Sequence, residues 1–587
     1  MRIPSLYFYF LFFLLLGSSC RQASSISNSM AKNSYPDSIW NAYNTELRIN
    51  KLLLEMSREN KPKDLLFENV TLLSMVTDTL IPNQSVLIEN GIISEVAPAG
   101  LLEAPASITR IDGRGKYLMP GLVDAHVHIG ESNVEKLLNL ATGVTTVREM
   151  AGFPWMIPYR DQINANRIFA PNLYIAGTML NYNSLGIYTR IVRSAEEARM
   201  WVRRQKESGF DYIKVWNNMP LPLLKTIADE AQKQGLDLVG HVPHDVRIDQ
   251  ALSAGMKTLE HFKGYYLDKS LELTTENYIK SSQPFRDFWL CPTFATWLHG
   301  MKGKAAINWL NENKAASYIP PSLKKQWLSA ASDTTYGKYG NVPERIYKMK
   351  REIFQNIIKN RNDNIIAGSD NNGANNFMVA GFVLHEELRI MNELGLSPLD
   401  VLKAATVNAA KALGRETEFG TIEAGKRADV LLLDNNPLED LNHLLAGRAV
   451  MVRGIWISEE TVKQILASIT EIYNNQDAAI ANMDLETLIS YYQSDRAELI
   501  LQPSAYINFG ADLSEAGKTH EAVKVLRHAL KMYPSYDMYN ALGDACLGAA
   551  DTTQAIQSYQ ISLEMYRYNR HAERALRKIR EAQVGTP

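Results

Sequence analysis

Two histidines one residue apart, His126 and His128, close the run Pro120-Gly121-Leu122-Val123-Asp124-Ala125-His126-Val127-His128. Side chains alternate faces along a β-strand, so both imidazoles point the same way. A pair of neutral imidazoles at a strand end chelates a borderline cation such as zinc. Two unrelated histidines would share that spacing, so the weight falls on ligand-type residues further along. Lys214 interrupts the apolar YIKVW, His241 follows DLVG, His261 ends KTLEH and Asp370 ends NIIAGSD.

The elements that must carry these residues are short and regularly spaced. Eight apolar runs, at 121–128, 143–149, 172–179, 212–216, 237–242, 257–261, 289–294 and 364–370, alternate with amphipathic helical stretches. This predicts an α/β fold built on a parallel (β/α)8 TIM-type barrel over roughly 300 residues, with a helical insertion near 300–350. A doubly wound open sheet is the competing arrangement, but no Gly-x-Gly-x-x-Gly follows any of these strands. Catalytic groups in such barrels gather at the C-terminal strand ends. His126, His128, Lys214, His241, His261 and Asp370 are therefore expected to meet at one rim.

A chain of 587 residues is too long for one core and suggests about three or four domains. Hydrophobic residues make up 46% and charged residues 21%, a globular balance, and the net charge of −2 speaks against nucleic-acid binding. The three cysteines, Cys20, Cys291 and Cys546, are too few for a disulfide framework or a thiolate zinc site. Any metal must therefore be held mainly by histidine and carboxylate.

Residues 1–20 read as an export signal. Arg2 precedes roughly eleven apolar or aromatic residues, Leu6 to Leu16, short of the ~20 that span a bilayer. Gly17-Ser18-Ser19-Cys20 resembles a bacterial lipoprotein cleavage site, with Gly17 where leucine is usual. Cys20 would be the lipidated residue and the protein would be exported, membrane-anchored by lipid only, in the periplasm or at the cell surface. Plain secretion is the alternative. Residues 21–64 form a Ser/Asn-rich tether and a helix. Short β runs at 65–118 and 419–458 flank the barrel segment 119–418 and predict a composite β-sandwich.

From 460 to 587 the pattern is helical. Ala522 and Ala555, Leu530 and Leu563, and Gly510 and Gly543 repeat with a period of about 33, close to a tetratricopeptide pattern. Such repeats could engage a protein partner.

The joint pattern resembles the amidohydrolase superfamily, in its imidazolonepropionase-like and prolidase-like branch. The motifs are MPGLVDAHVH (119–128), GVTTVRE (143–149), YIKVW (212–216), GHVPHDV (240–246), ALSAGMKTLEH (251–261), AGSD (367–370), LGLSPLDVLKAATVNAAKALG (394–414) and GTIEAGKRADVLLLD (420–434). The resemblance implies a metal-dependent hydrolase that cleaves a C–N bond with metal-activated hydroxide. Its substrate would be a small molecule or short peptide, such as a cyclic amide or a dipeptide. One or two divalent metals, zinc foremost, would be bound. It also implies that Lys214 is carbamylated and bridges two metals. The alternatives are a lysine snorkelling to the rim, or one metal.

Asp370 would ligate a metal, take a proton from water and deliver it to the leaving nitrogen. Arg148 would contact an anionic substrate group or pair with a nearby carboxylate, and His244 would contact substrate or lie on a loop surface. His385-Glu386-Glu387 is no zinc helix, since position 389 is Arg. A lactonase or esterase of the same fold, and a non-catalytic scaffold acting through its helical repeats, are the rival functions.

Overall fold

The structure, a computed structural model, describes residues 37–129, 132–183, 189–265, 287–296, 305–332, 342–360, 364–371, 377–475, 485–494 and 501–584. The export signal, Cys20 and most of the tether lie outside the described residues. Among those described, no helix is long and apolar enough to cross a membrane.

A helix over Asp37–Glu59 leads into β1 (Leu65–Leu72), β2 (Ile81–Glu89), β3 (Ile92–Pro98), β4 (Thr109–Asp112) and β5 (Tyr117–Pro120). Gly121 follows directly, and the inner strands begin: β6 (Leu122–Val127), β7 (Val144–Glu149), β8 (Asn172–Ile175), β9 (Met179–Asn181), β10 (Thr189–Ile191), β11 (Tyr212–Val215), β12 (Asp237–Gly240), β13 (Met256–Glu260) and β14 (Trp289–Cys291). The chain then returns to the first sheet with β15 (Val430–Leu433), β16 (Arg448–Val452) and β17 (Ile455–Ile457).

The flanking segments form one eight-stranded sheet in the order β17-β16-β15-β5-β1-β2-β3, with β4 beside β1. The two flanks thus pair strand to strand, through β15 and β5. The sheet bends back on itself: Ile92 bridges Arg427, and Phe67 of β1 meets Trp456 of β17 with ring centroids 5.4 Å apart. Residues from both halves, including Leu65, Val86, Val430 and Met451, share one apolar core.

The inner strands pair in parallel, β6-β7-β8 and β10-β9-β11-β12-β13-β14. Ala176 bridges Tyr212 between the two groups. Every residue of β6, β7, β8 and β11 is buried, as strands covered on both faces must be. Burying a Val or Leu fully contributes about 1.5–3 kcal/mol, so a charged group on such a strand persists only if interior partners satisfy it.

The run expected as one strand over 172–179 is split into β8 and β9, with Gly177 donating from its backbone to Tyr212 between them. The last expected strand, 364–370, is irregular. Two isolated bridges, Leu290 to Ile365 and Val127 to Asn371, set it between β14 and β6. Asp370 has φ 54°, which breaks the extended pleat.

Capped helices cover the strands. Ser194 accepts from the Glu197 backbone to open Ala195–Glu207, and Ser397 does the same for Pro398–Ala404 through Asp400. The insertion is helical, with Ala305–Glu312, Pro321–Ser332 and Val342–Asn360. Beyond Ser458 the described residues form helices up to Val584.

Candidate metal centre

The six residues singled out by spacing come together. His126 Nε2 and His128 Nε2 each lie 3.4 Å from Asp370 Oδ1. The Lys214 amine sits 3.5 Å from His126 Nε2. The imidazoles form a chain, with ring centroids 5.3 Å apart for His126–His128, 4.7 Å for His126–His261 and 4.8 Å for His241–His261. Asp370 reaches this cluster because its backbone N–H donates to the His126 carbonyl over 2.7 Å, locking the irregular segment to β6.

Each ring also has a hydrogen-bond partner at Nδ1, although the Nδ1 of His261 lies 3.9 Å from Asp370 Oδ2 as well. His126 meets Glu260 Oε2 at 2.8 Å, His128 meets Glu149 Oε1 at 3.2 Å, His241 meets Asn217 Oδ1 at 2.7 Å and His261 meets Thr293 Oγ1 at 2.6 Å. Where Nδ1–H is the donor, Nε2 keeps its lone pair for the shared space. That donor set, imidazole nitrogens with one carboxylate oxygen, suits a borderline divalent cation. The ligand atoms of His126, His128 and Asp370 all lie within 4.8 Å of one another, so the residues fit such an ion.

Electrostatics agree. Burial, helped by the Lys214 charge, lowers His126 to about 4, and burial drives His241 and His261 well below the usual imidazole range. These rings are neutral at pH 7 and able to ligate. Burial also opposes charge on His128, but hydrogen bonds to Asp370 and Glu149 overcome it and raise this ring. Two carboxylates thus favour positive charge at that point.

Burial would raise Asp370, yet His261 and His126 beside it hold its carboxyl well below the ordinary value, so it is ionised. Lys214 is lowered to about 8, chiefly by burial. No ion pair joins Lys214 to a carboxylate among the described residues.

Arg148 is fully buried. Its guanidinium donates to the Ala125 carbonyl at 2.6 Å, to Thr258 Oγ1 at 3.3 Å and to Glu260 Oε1 at 2.9 Å. Of its two expected roles, pairing with a carboxylate is the one this geometry displays. His244 is half-buried and its backbone donates to the Asn217 carbonyl, next to the residue that holds His241. His385 is buried with Nε2 at 2.8 Å from the Thr142 carbonyl, a packing role.

Glu149, Asn217, Glu260 and Thr293 were not foreseen from spacing. A signal existed for two of them: Glu149 and Glu260 are acids at the C-terminal ends of their strands. Glu260 hid because alternation should turn it away from its neighbour His261. His261 has φ 61°, and that left-handed turn brings both consecutive side chains to His126.

The amidohydrolase family matches residues 117–458, more than half of the chain. The chain belongs to that family. It is therefore a metal-dependent hydrolase of carbon–nitrogen bonds. It is 26% identical over 444 residues to a 5-methylthioadenosine/S-adenosylhomocysteine deaminase of Caldanaerobacter subterraneus subsp. tengcongensis, covering 67% of this chain and 90% of that one. It is also 26% identical over 437 residues to the ochratoxinase of Aspergillus niger, covering 63% and 81%. The solved structure of bottromycin amidohydrolase superimposes with a TM-score of 0.59 at 22% identity, covering 76% of this chain and 99% of that one, a likeness of fold.

Proposed function

We propose that His126, His128, Lys214, His241, His261 and Asp370 hold divalent metal, zinc foremost, and that the enzyme hydrolyses an amide-type bond in a small molecule or short peptide. The observation that carries this is the convergence on Asp370 Oδ1, 3.4 Å from both His126 Nε2 and His128 Nε2. A bound divalent cation supplies Lewis acidity, making water a better acid and the scissile carbonyl more electrophilic. Asp370 is ionised and stands at the cluster's edge, where it takes a proton from water and passes it to the departing nitrogen.

The Lys214 amine is buried among imidazoles, where an ammonium is poorly accommodated. Reaction with carbon dioxide would turn it into an anionic carbamate able to bridge two ions. The parallel strands, read together with the two bridges of the 364–371 segment, support a closed (β/α)8 barrel. The helices Pro503–Glu515, Thr519–Met532, Tyr536–Gly548 and Thr552–Met565 support two tetratricopeptide-like hairpins. A Cβ at Gly510 would strike Leu526, and one at Gly543 would strike Tyr559, the same contact one period on. Export by the signal at 1–20 with lipid on Cys20 completes the reading.

The substrate relatives differ, one named for deamination and one for ochratoxin. Barrel-mouth loops therefore decide the leaving group, and a panel of dipeptides, cyclic amides and matched lactones is the assay. Elemental analysis tests the centre. The wild type is expected to carry about two metals per chain, and Lys214→Ala one or none, with activity lost. Two metals retained in Lys214→Ala would refute the carbamate bridge, and a metal-free wild type after growth with zinc would refute the centre.

A further inference from the structure

His126 differs from the other three imidazoles in what stands behind it. Glu260 and Arg148 are both fully buried and joined as an ion pair. Glu260 Oε2 faces His126 Nδ1 at 2.8 Å, while Oε1 accepts from Arg148 Nη2 at 2.9 Å and Thr258 Oγ1 at 2.6 Å. Arg148 Nε donates to the carbonyl of Ala125, the residue just before His126. The network thus ties β6, β7 and β13 together around one imidazole. We propose that Arg148 and Glu260 form a buried clamp fixing the tautomer and ring plane of His126, and so act as positioning residues of the centre. This rests on reading His126 as a ligand.

The physical argument is one of complementarity. A carboxylate paired with a guanidinium only accepts hydrogen bonds, so the His126 nitrogen facing it must carry the hydrogen. The lone pair is then on Nε2, toward Lys214 and Asp370. An ion pair serving only to join strands would account for Arg148 and Thr258. It would not require the second carboxylate oxygen to be spent on this ring. Charged partners behind a ligating histidine also raise its basicity and fix its direction.

Two independent measurements test this. In metal-free wild-type protein, the nitrogen shifts of ¹⁵N-labelled histidine should show His126 as a single tautomer with hydrogen on Nδ1. A mixture, or hydrogen on Nε2, overturns the clamp whatever the variants do. The second uses Glu260→Gln, whose amide can donate as well as accept, and the pair Arg148→Met with Glu260→Gln, which leaves no uncompensated buried charge. Zinc affinity by chelator competition should fall about 10–100-fold in whichever variant melts cooperatively, with the His126 tautomer mixed. Unchanged affinity and tautomer would overturn the proposal. His126→Ala separates the two levels. Zinc affinity kept in His126→Ala sinks the ligand reading itself, whereas affinity lost there but kept in the Glu260 variants sinks only the clamp.

Discussion

Replacing Gly368 by alanine tests whether the 364–371 segment is pressed against β6. A Cβ there would lie 2.9 Å from the His126 Cβ and 3.0 Å from the His126 backbone nitrogen, and closer still to Cys291 Sγ. Non-bonded carbon contacts sit at about 3.5–4.0 Å, so relief needs a shift approaching 1 Å. The sulfur can rotate away, but the His126 backbone cannot. It belongs to β6, which is held from its far side by parallel pairing with β7, where the Met150 N–H donates to the Val127 carbonyl at 2.9 Å. The segment must therefore retreat, carrying Asp370 away from the two Nε2 atoms.

Overpacking of this kind costs about 1–3 kcal/mol. Misplacing a reacting group by about 1 Å costs on the order of 10²-fold in turnover. Turnover, zinc content and thermal unfolding should be measured on Gly368→Ala, alone and combined with Cys291→Ala. Turnover should fall by about 10²-fold and the melting temperature by several degrees, ~2–4 °C per kcal/mol for a domain of this size. Removing the sulfur should return part of the stability but little turnover, since the His126 contact persists. Wild-type turnover and zinc content in Gly368→Ala would mean that Asp370 is not held by this contact.

Asp370→Asn keeps the shape of the side chain but cannot take a proton; kcat should fall by about 10²–10⁴-fold with KM little changed, read by steady-state kinetics. Burial raises Glu387 to about 8, so between its ordinary 4.5 and 8 the folded state holds a proton that the unfolded state has released. Wild-type stability then declines as pH rises through that window, and Glu387→Gln, which keeps an acceptor for the Ala295 N–H, should gain on wild type from pH 5 to pH 8 by on the order of 1–3 kcal/mol. Denaturant titration at both pH values checks this, and a constant difference would count against it.

The Arg190 guanidinium lies over three rings, 5.7 Å from Trp201, 4.9 Å from Tyr536 and 4.8 Å from Tyr566. Arg190→Ala should weaken docking of the C-terminal helices by about 1–3 kcal/mol and speed their release in limited proteolysis.

Much of this centre was legible in the one-dimensional pattern. His126, His128, Lys214, His241, His261 and Asp370 end or interrupt apolar runs, and parallel strands bring such positions to one rim. The flanking β segments were recognisable too, as pieces of one composite domain, though their strand order was not. The spacing of Arg148 left two partners open, and only the approach of β13 to β6 chose Glu260. The 364–370 run had strand composition, yet Asp370 turns out of the pleat. The same effect concealed Glu260 beside His261.

Local composition and periodicity thus determined which residue types face inward and which metal chemistry they suit, because facing follows from backbone geometry within a few residues. Tertiary structure decided which inward-facing groups touch: Glu260 with His126, Glu149 with His128, Asn217 with His241, Thr293 with His261. Those pairings join residues 21 to 134 positions apart. They depend on strand order, register and a left-handed turn at His261, none of which is encoded within a single strand.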